Sequence, residues 1–254
     1  MKVDFGKTAG DYKQYRQGFP PRFFERLAAM GLIGTGKTVL DVGTGTGTLA
    51  RGIAQAGSDV TGVDIAAPMM AQAKVLDNEA DITITYHIAP AENIPLPDAT
   101  FDTVTAGQCW HWFDRPRAAN EVKRLLKPGG AVVIAHLDWI PLPGNLVAAT
   151  ETLMLQHNPA WAMSGGTGIY PAWLADLASA GFADIETFSF DVDLMYTPEA
   201  WRGRIRASAG IAASLEPEAV QRFDAEFKTL LETQFPGEML PILHRVWAVT
   251  ARKP

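Results

Sequence analysis

Apolar runs and stretches of helical period alternate through the first half of the chain. Residues 21–30 (PRFFERLAAM) place apolar side chains at helical spacing, and Pro21 suits a first turn. VLDV (39–42) predicts a short buried strand, and TLARGIAQAG (48–57) a helix stopped by Gly57. DVTGVDI (59–65) predicts a second strand and PMMAQAKVL (68–76) a second helix opened by Pro68. ITITYHI (82–88), rich in β-branched residues, is a third strand, and FDTVTAG (101–107) a fourth. Asp114 can cap the helix RPRAANEVKRLL, which ends at the turn KPGG (127–130) before a fifth strand, AVVIAHL (131–137). Strands alternating with helices imply βαβ units, hence a parallel sheet with helices on both faces.

The pattern changes after residue 138. Residues 139–168 are rich in Pro, Gly and Trp, show no clear period, and read as loops and short helices. YPAWLADLASAG (170–181) is an amphipathic helix with a glycine stop, and ADIETFSFDVDL (183–194) alternates like a strand with one solvated face. Two helical stretches, 198–213 and 217–233, precede a final strand, LHRVWAVTAR (243–252). With no internal repeat or low-complexity linker, the expectation is a single domain over 1–254. Its parts would be a helical lead-in (1–35), a core (36–138), a cap (139–235) and the last strand.

Composition narrows the function classes. The chain has 254 residues, 47% hydrophobic and 20% charged, an ordinary globular balance. Its net charge of −6 argues against nucleic acid as a partner, because neutralising phosphates needs a basic footprint. A single cysteine, Cys109, excludes an internal disulfide and suits a reducing compartment. The opening MKVDFGKTAGDY holds no apolar stretch of signal-peptide length, and no run approaches the ~20 residues of a membrane span. A cytoplasmic protein without a membrane partner is expected. Metal binding has no support, since His87, His111, His136, His157 and His244 show no ligand spacing. Oligomeric state is not readable.

Two glycine-rich strings compete for the role of ligand loop. GLIGTGKT (31–38) fits the phosphate-loop pattern position for position, yet a helix precedes it and a strand follows. A phosphate loop needs the reverse order, so that a helix N-terminus meets the phosphates. DVGTGTG (41–47) has the right context: it leaves a buried strand and enters a helix. Gly43, Gly45 and Gly47 permit a sharp turn and close approach of a ligand, with Thr44 between them. Asp64, closing the second strand, can accept both hydroxyls of a ribose. Asp41 is an expensive group in a buried strand unless it bonds loop amides or a ligand ammonium. Dinucleotide folds want G-x-G-x-x-G, and here that third glycine position is Thr48. An amino-acid-bearing nucleoside fits better than a pyrophosphate.

Together these residues resemble the class I S-adenosylmethionine-dependent methyltransferases. VLDVGTGTGTLA (39–50) is similar to the glycine-rich motif of that family and VTGVDIAAPMMAQA (60–73) to its second motif. AENIPLPDATFDTVTAGQCWHWFD (91–114) resembles the adenine-side loop and fourth strand, and EVKRLLKPGGAVVIAHLD (121–138) the LKPGG turn and fifth strand. QCWHWFD and YKQYRQGFP (12–20) are similar to the branch containing trans-aconitate methyltransferase-like small-molecule enzymes. The resemblance thins after residue 140. It implies a Rossmann-like class I methyltransferase fold: an α/β, mostly parallel seven-stranded sheet with an antiparallel last strand and a helical cap. It implies S-adenosyl-L-methionine as cofactor, with Gly43, Gly45 and Gly47 lining its methionine part and ribose. Asp64 would hold the ribose hydroxyls, Ile65, Ala91 and Glu92 would lie at the adenine, and Gln108 beside the sulfonium methyl. Tyr15 and Arg16 would close over the cofactor. Pro90 stands where many relatives carry an acid for the adenine amine.

The acceptor side is read more openly. Methyl transfer from a sulfonium is an in-line displacement in which positioning can supply on the order of 7–11 kcal/mol. His111 is the candidate base, needed only if the acceptor loses a proton; packing or wall duty in the HWF string is the leading alternative. Trp112, Trp161, Tyr170 and His244 are candidate acceptor contacts. Arg202 and Arg206, one helical turn apart, could clamp a carboxylate; a solvated face is the competing reading. The expected activity is methyl transfer to a small organic acceptor, with carboxylate or hydroxyl oxygen favoured over ring nitrogen or carbon. A non-catalytic binder of the methyl donor is the first alternative and a nicotinamide-dependent oxidoreductase the second.

Overall fold

The computed structural model describes residues 17–254. Helix α1 (Pro21–Ala29) buries Phe23 and Leu27 and is followed by Gly31, whose φ of 68° favours a residue free of a Cβ. The GLIGTGKT string then runs into β1 (Thr38–Val42). Thr38 opens that strand with its hydroxyl on Asp102 Oδ2 (2.7 Å), so no helix start follows Lys37. Next come α2 (Thr48–Gln55), β2 (Asp59–Asp64), α3 (Ala67–Glu79), β3 (Thr85–Ile88) and β4 (Phe101–Gly107). Helix α4 (Arg115–Leu125) is capped by Asp114, whose side chain accepts from the Arg117 amide as expected. It packs through Ala118, Ala119, Val122 and Leu125, all buried.

The remaining elements are β5 (Leu126–Trp139), α5 (Leu146–His157), α6 (Ala172–Ser179), β6 (Ala183–Tyr196), α7 (Pro198–Arg206), α8 (Pro217–Gln234) and β7 (Leu240–Arg252). Four differences from the sequence reading stand out. The stretch read as loops and short helices holds one three-turn helix, α5; α7 stops at Arg206 instead of 213; β3 starts at Thr85 instead of 82; and KPGG is the first part of β5. In that last case Gly129 and Gly130 exchange backbone hydrogen bonds with Lys253 (both 2.9 Å), which makes a strand of the turn sequence.

One seven-stranded sheet results, in the order β3-β2-β1-β4-β5-β7-β6. The strands from β3 to β5 pair in parallel, with Asp64 opposite Ile88, Asp41 opposite both Gly62 and Thr105, and Gly107 opposite Ala135. The last strand is antiparallel to β5, bonded at Ile140–Leu243 and at Gly130–Lys253. The carboxyl ends of β1, β2, β4 and β5 therefore share one edge, where the order reverses between β1 and β4 and ligands of such sheets bind.

By its internal contacts the chain separates into two compact units, each assembled from several segments. The core unit comprises Gly18–Leu137, Tyr170–Phe190 and Val246–Pro254. Its interior gathers Leu40, Val104, Trp110, Leu125, Trp173 and Trp247. The described part of the second unit is Gln17, Asp138–Ile169 and Asp191–Arg245. It is built around Trp201, Phe223 and Phe227, which are completely buried, and the Trp201 indole donates to Thr150 (3.2 Å). Among the described residues, no helix is long and apolar enough to cross a membrane.

Candidate active site

The loop between β1 and α2 lies in the core unit. Gly43, Gly45 and Gly47 all adopt positive φ (67°, 55° and 74°), but the space at their missing Cβ atoms is used differently. At Gly43 a Cβ would lie 2.7 Å from Cys109 Sγ, and at Gly47 2.6 Å from the Tyr86 hydroxyl. At these two positions the absent Cβ makes room for the chain's own side chains. At Gly45 the nearest atom is Met69 Cε at 3.5 Å, an ordinary contact.

Two carboxylates flank the loop. Asp64 Oδ2 accepts from the Gly45 amide (2.8 Å) and Oδ1 from the Ala66 amide (2.8 Å). Each oxygen keeps a further lone pair for a ligand hydroxyl. Asp41 is buried and accepts from the Thr105 hydroxyl (2.7 Å). Burial pushes its carboxyl up to about 6, against the hydrogen bond from Thr105 and with help from the Asp64 charge. Beside Asp64, Ile65 and Ile88 are 72% and 64% exposed, an apolar pair facing outward from the ends of β2 and β3. Ile88 had passed unnoticed in the sequence as an ordinary strand residue. Ala91 is buried, and Glu92 Oε1 accepts from the Asp114 amide (2.8 Å), which ties the loop after β3 to the cap of α4.

The ends of β4 and β5 carry the other candidates. Gln108 has a φ of 61°, unusual for a residue with a side chain, and its amide bonds Ala135 O (2.9 Å). His111 sits in the short turn Trp110–Trp112, with its ring 4.6 Å from that of Trp112, which is 50% exposed. His136, one residue past Ala135, lies with its ring 5.4 Å from that of His111. Its Nδ1 is hydrogen-bonded with the Tyr170 hydroxyl (3.1 Å), and Tyr170 stacks on Trp173 (4.2 Å). His136 escaped the sequence reading, although a histidine near the end of an otherwise apolar strand was the available cue.

Asp41, the glycine loop, Asp64, Ile65, Ala91, Glu92, Gln108, His111, Trp112 and Tyr170 thus all belong to the core unit. Tyr15 and Arg16 lie outside the described residues. Trp161, Arg202, Arg206 and His244 belong to the second unit. Trp161 is buried, packed where a Cβ on Gly210 would meet its ring at 3.1 Å. Arg202 and Arg206 both pair with Asp224 and Glu199. The carboxylates they hold are the chain's own, which corrects the expected clamp on a substrate acid. Among the described residues no cluster of His, Cys, Asp and Glu could hold a metal ion.

His244 is buried, with Nδ1 bonded to Ile242 O (2.8 Å). Burial lowers its pKa to about 4, aided by the nearby Arg204 charge. The folded state therefore keeps it neutral, while the unfolded chain takes up a proton below pH ~6.5. Stability contributed by this site is complete above that pH and is lost as pH falls from about 6.5 towards 4. Urea unfolding at pH 7.5 and 5 should show this loss, and His244→Gln should remove much of the slope.

A glycine loop bracketed by two acids at the carboxyl edge of a parallel sheet defines a nucleoside-binding α/β protein. Residues 40–134 match the family model described as "Methyltransferase domain". Residues 40–134 thus form a methyltransferase domain of the class I S-adenosylmethionine-dependent type. An uncharacterized methyltransferase of Mycobacterium tuberculosis is 34% identical over 153 residues, 58% of this chain and 60% of that protein. The chain thus spans less than two thirds of that relative's length. The 27-O-demethylrifamycin SV methyltransferase of Amycolatopsis mediterranei is 29% identical over 238 residues, 92% of this chain and 83% of the relative. The solved structure of the YcgJ protein from Bacillus subtilis shares the fold, with a TM-score of 0.59 at 18% identity, covering 91% of this chain and 98% of that one.

Proposed function

We propose that this chain transfers a methyl group from S-adenosylmethionine to an oxygen atom of a small organic acceptor. The observation that carries the donor half is the Asp64 carboxylate, bonded to the Gly45 amide at the mouth of β1 and β2. Its remaining lone pairs suit a ribose diol, the Gly45 face admits a ligand at van der Waals distance, and the buried Asp41 offers a charge for an ammonium. Bound there, the cofactor supplies a methyl on a positively charged sulfur. Ile65 and Ile88 offer an apolar surface for adenine, and Gln108 stands at the neighbouring strand end.

On the acceptor side His111 serves as the base that takes a hydroxyl proton, with Trp112 as an aromatic wall and His136 and Tyr170 behind it. The name of the A. mediterranei relative, which refers to a 27-O position, favours oxygen as the atom methylated. The test is calorimetric titration with S-adenosylmethionine and separately with NAD(H), followed by mass spectrometry of phenolic and carboxylic acceptors for the gain of one methyl. Tight NAD(H) binding, or no binding of S-adenosylmethionine, would sink the reading. Donor binding without transfer to any hydroxyl compound would leave only a donor-binding protein.

A pH dependence follows from Asp41. Above about pH 6 its carboxylate is ionised and attracts the donor ammonium; below, it takes a proton and the attraction fades. The affinity for S-adenosylmethionine should therefore fall as pH drops through about 6. Asp41→Asn should bind weakly with a flat profile.

A further inference from the structure

Next to the glycine loop lies a buried polar network that the proposed chemistry does not use. Arg51, in the first turns of α2, donates through Nη2 to Thr46 O (2.8 Å) and through Nη1 to Asp77 Oδ1 (2.7 Å) and Ala73 O (3.4 Å). Asp77, in the last turn of α3, takes its second hydrogen bond from the Tyr86 hydroxyl (2.8 Å) on β3. The Arg51 and Asp77 side chains are only 14% and 5% exposed, so this charge pair is largely withdrawn from water. Removing one partner would strand the other charge.

The backbone has been cleared for this network. A Cβ on Gly62 would fall 2.6 Å from the Tyr86 ring, and one on Gly47 would fall 2.6 Å from its hydroxyl and 3.0 Å from Arg51 Nη1. Two glycines thus admit one tyrosine, and the tyrosine orients the aspartate that orients the arginine. Thr46 is the loop residue that receives the result. At the preceding residue, Gly45, the loop is held by Asp64.

We propose that Arg51 is a positioning residue for the donor site, holding Thr46 so that the loop keeps its ligand-binding shape before the donor arrives. The inference rests on the proposed binding of S-adenosylmethionine at this loop. Its physical content is preorganisation: a loop clamped at Gly45 and at Thr46 loses little freedom on binding. Arg51 itself makes no contact with the donor in this scheme.

The test separates positioning from mere structural support. Arg51→Met, Asp77→Asn and the double variant are compared with wild type by thermal unfolding, by titration with S-adenosylmethionine well below each melting temperature, and by hydrogen exchange of residues 43–48. Arg51→Met is expected to lose stability, weaken donor binding about tenfold and speed exchange in the loop. The double variant removes both formal charges, so it should recover much of the stability while the donor affinity stays low, because Thr46 O still lacks its partner. If affinity recovers along with stability, or if folded Arg51→Met binds the donor like wild type, the proposal is overturned. Failure of the wild type to bind the donor would instead refute the reading on which it rests.

Discussion

Replacing Asp64 by alanine is expected to raise the dissociation constant for S-adenosylmethionine at least tenfold, about 1.4 kcal/mol. Two losses add. The carboxylate proposed to accept the ribose hydroxyls disappears, and hydrogen bonds to a charged group are worth ~1.5–3 kcal/mol each. The Gly45 and Ala66 amides also lose their acceptor, so the loop is no longer pinned from the ligand side. Calorimetry on wild type and variant measures the change directly, with circular dichroism to establish that both are folded. An unchanged dissociation constant would remove Asp64 from the donor site, and with it the main support for the proposed function.

Trp110→Ala should be among the most damaging single changes to stability, costing about 3–5 kcal/mol. The side chain is fully buried in the core, packs edge-on against Phe113 at 5.8 Å, and donates its indole N–H to Asp176 (3.1 Å) on α6. Arg115 also holds Asp176 (3.2 Å), so the loss should come mainly from the cavity and only secondarily from the carboxylate. Equilibrium urea denaturation gives the number. A change below about 1 kcal/mol would mean that the surrounding shell collapses into the space, contrary to the expectation of a cavity.

The placing of the glycine loop and of Asp64 beside it was legible in the sequence because these parts are local. A glycine triplet after a buried strand and an acid at the end of the next strand are fixed by chain geometry over some twenty residues. Even so, spacing alone made Gly43 and Gly47 look like Gly45. What distinguishes them is Cys109 and Tyr86, far along the chain. The extent of helix α5, within a stretch read only as loops and short helices, was hidden for another reason: its buried side includes the polar Thr150 and Glu151 beside Leu146, Val147, Leu153 and Met154, which blurs the apolar period. The Arg202–Arg206 spacing was read correctly as one face of a helix. Asp224, on α8, is what decides that face's partner, and no local pattern announces it. His136 reaches His111 only because Ala135 pairs with Gly107, a register that appears once the sheet exists.

The segmented make-up of the core unit bears on how the protein is born. Trp247, Val249 and Ala251 of the last strand are part of the same interior as Leu40 and Val104, and Lys253 closes the pairing with Gly129 and Gly130. These contacts span most of the chain, so the loop closures they require are long and costly in time. A ribosome that has released only residues up to β6 has yet to supply a strand of the unit that carries the glycine loop. Competence to bind the donor should thus be acquired only once β7 has emerged and joined the sheet.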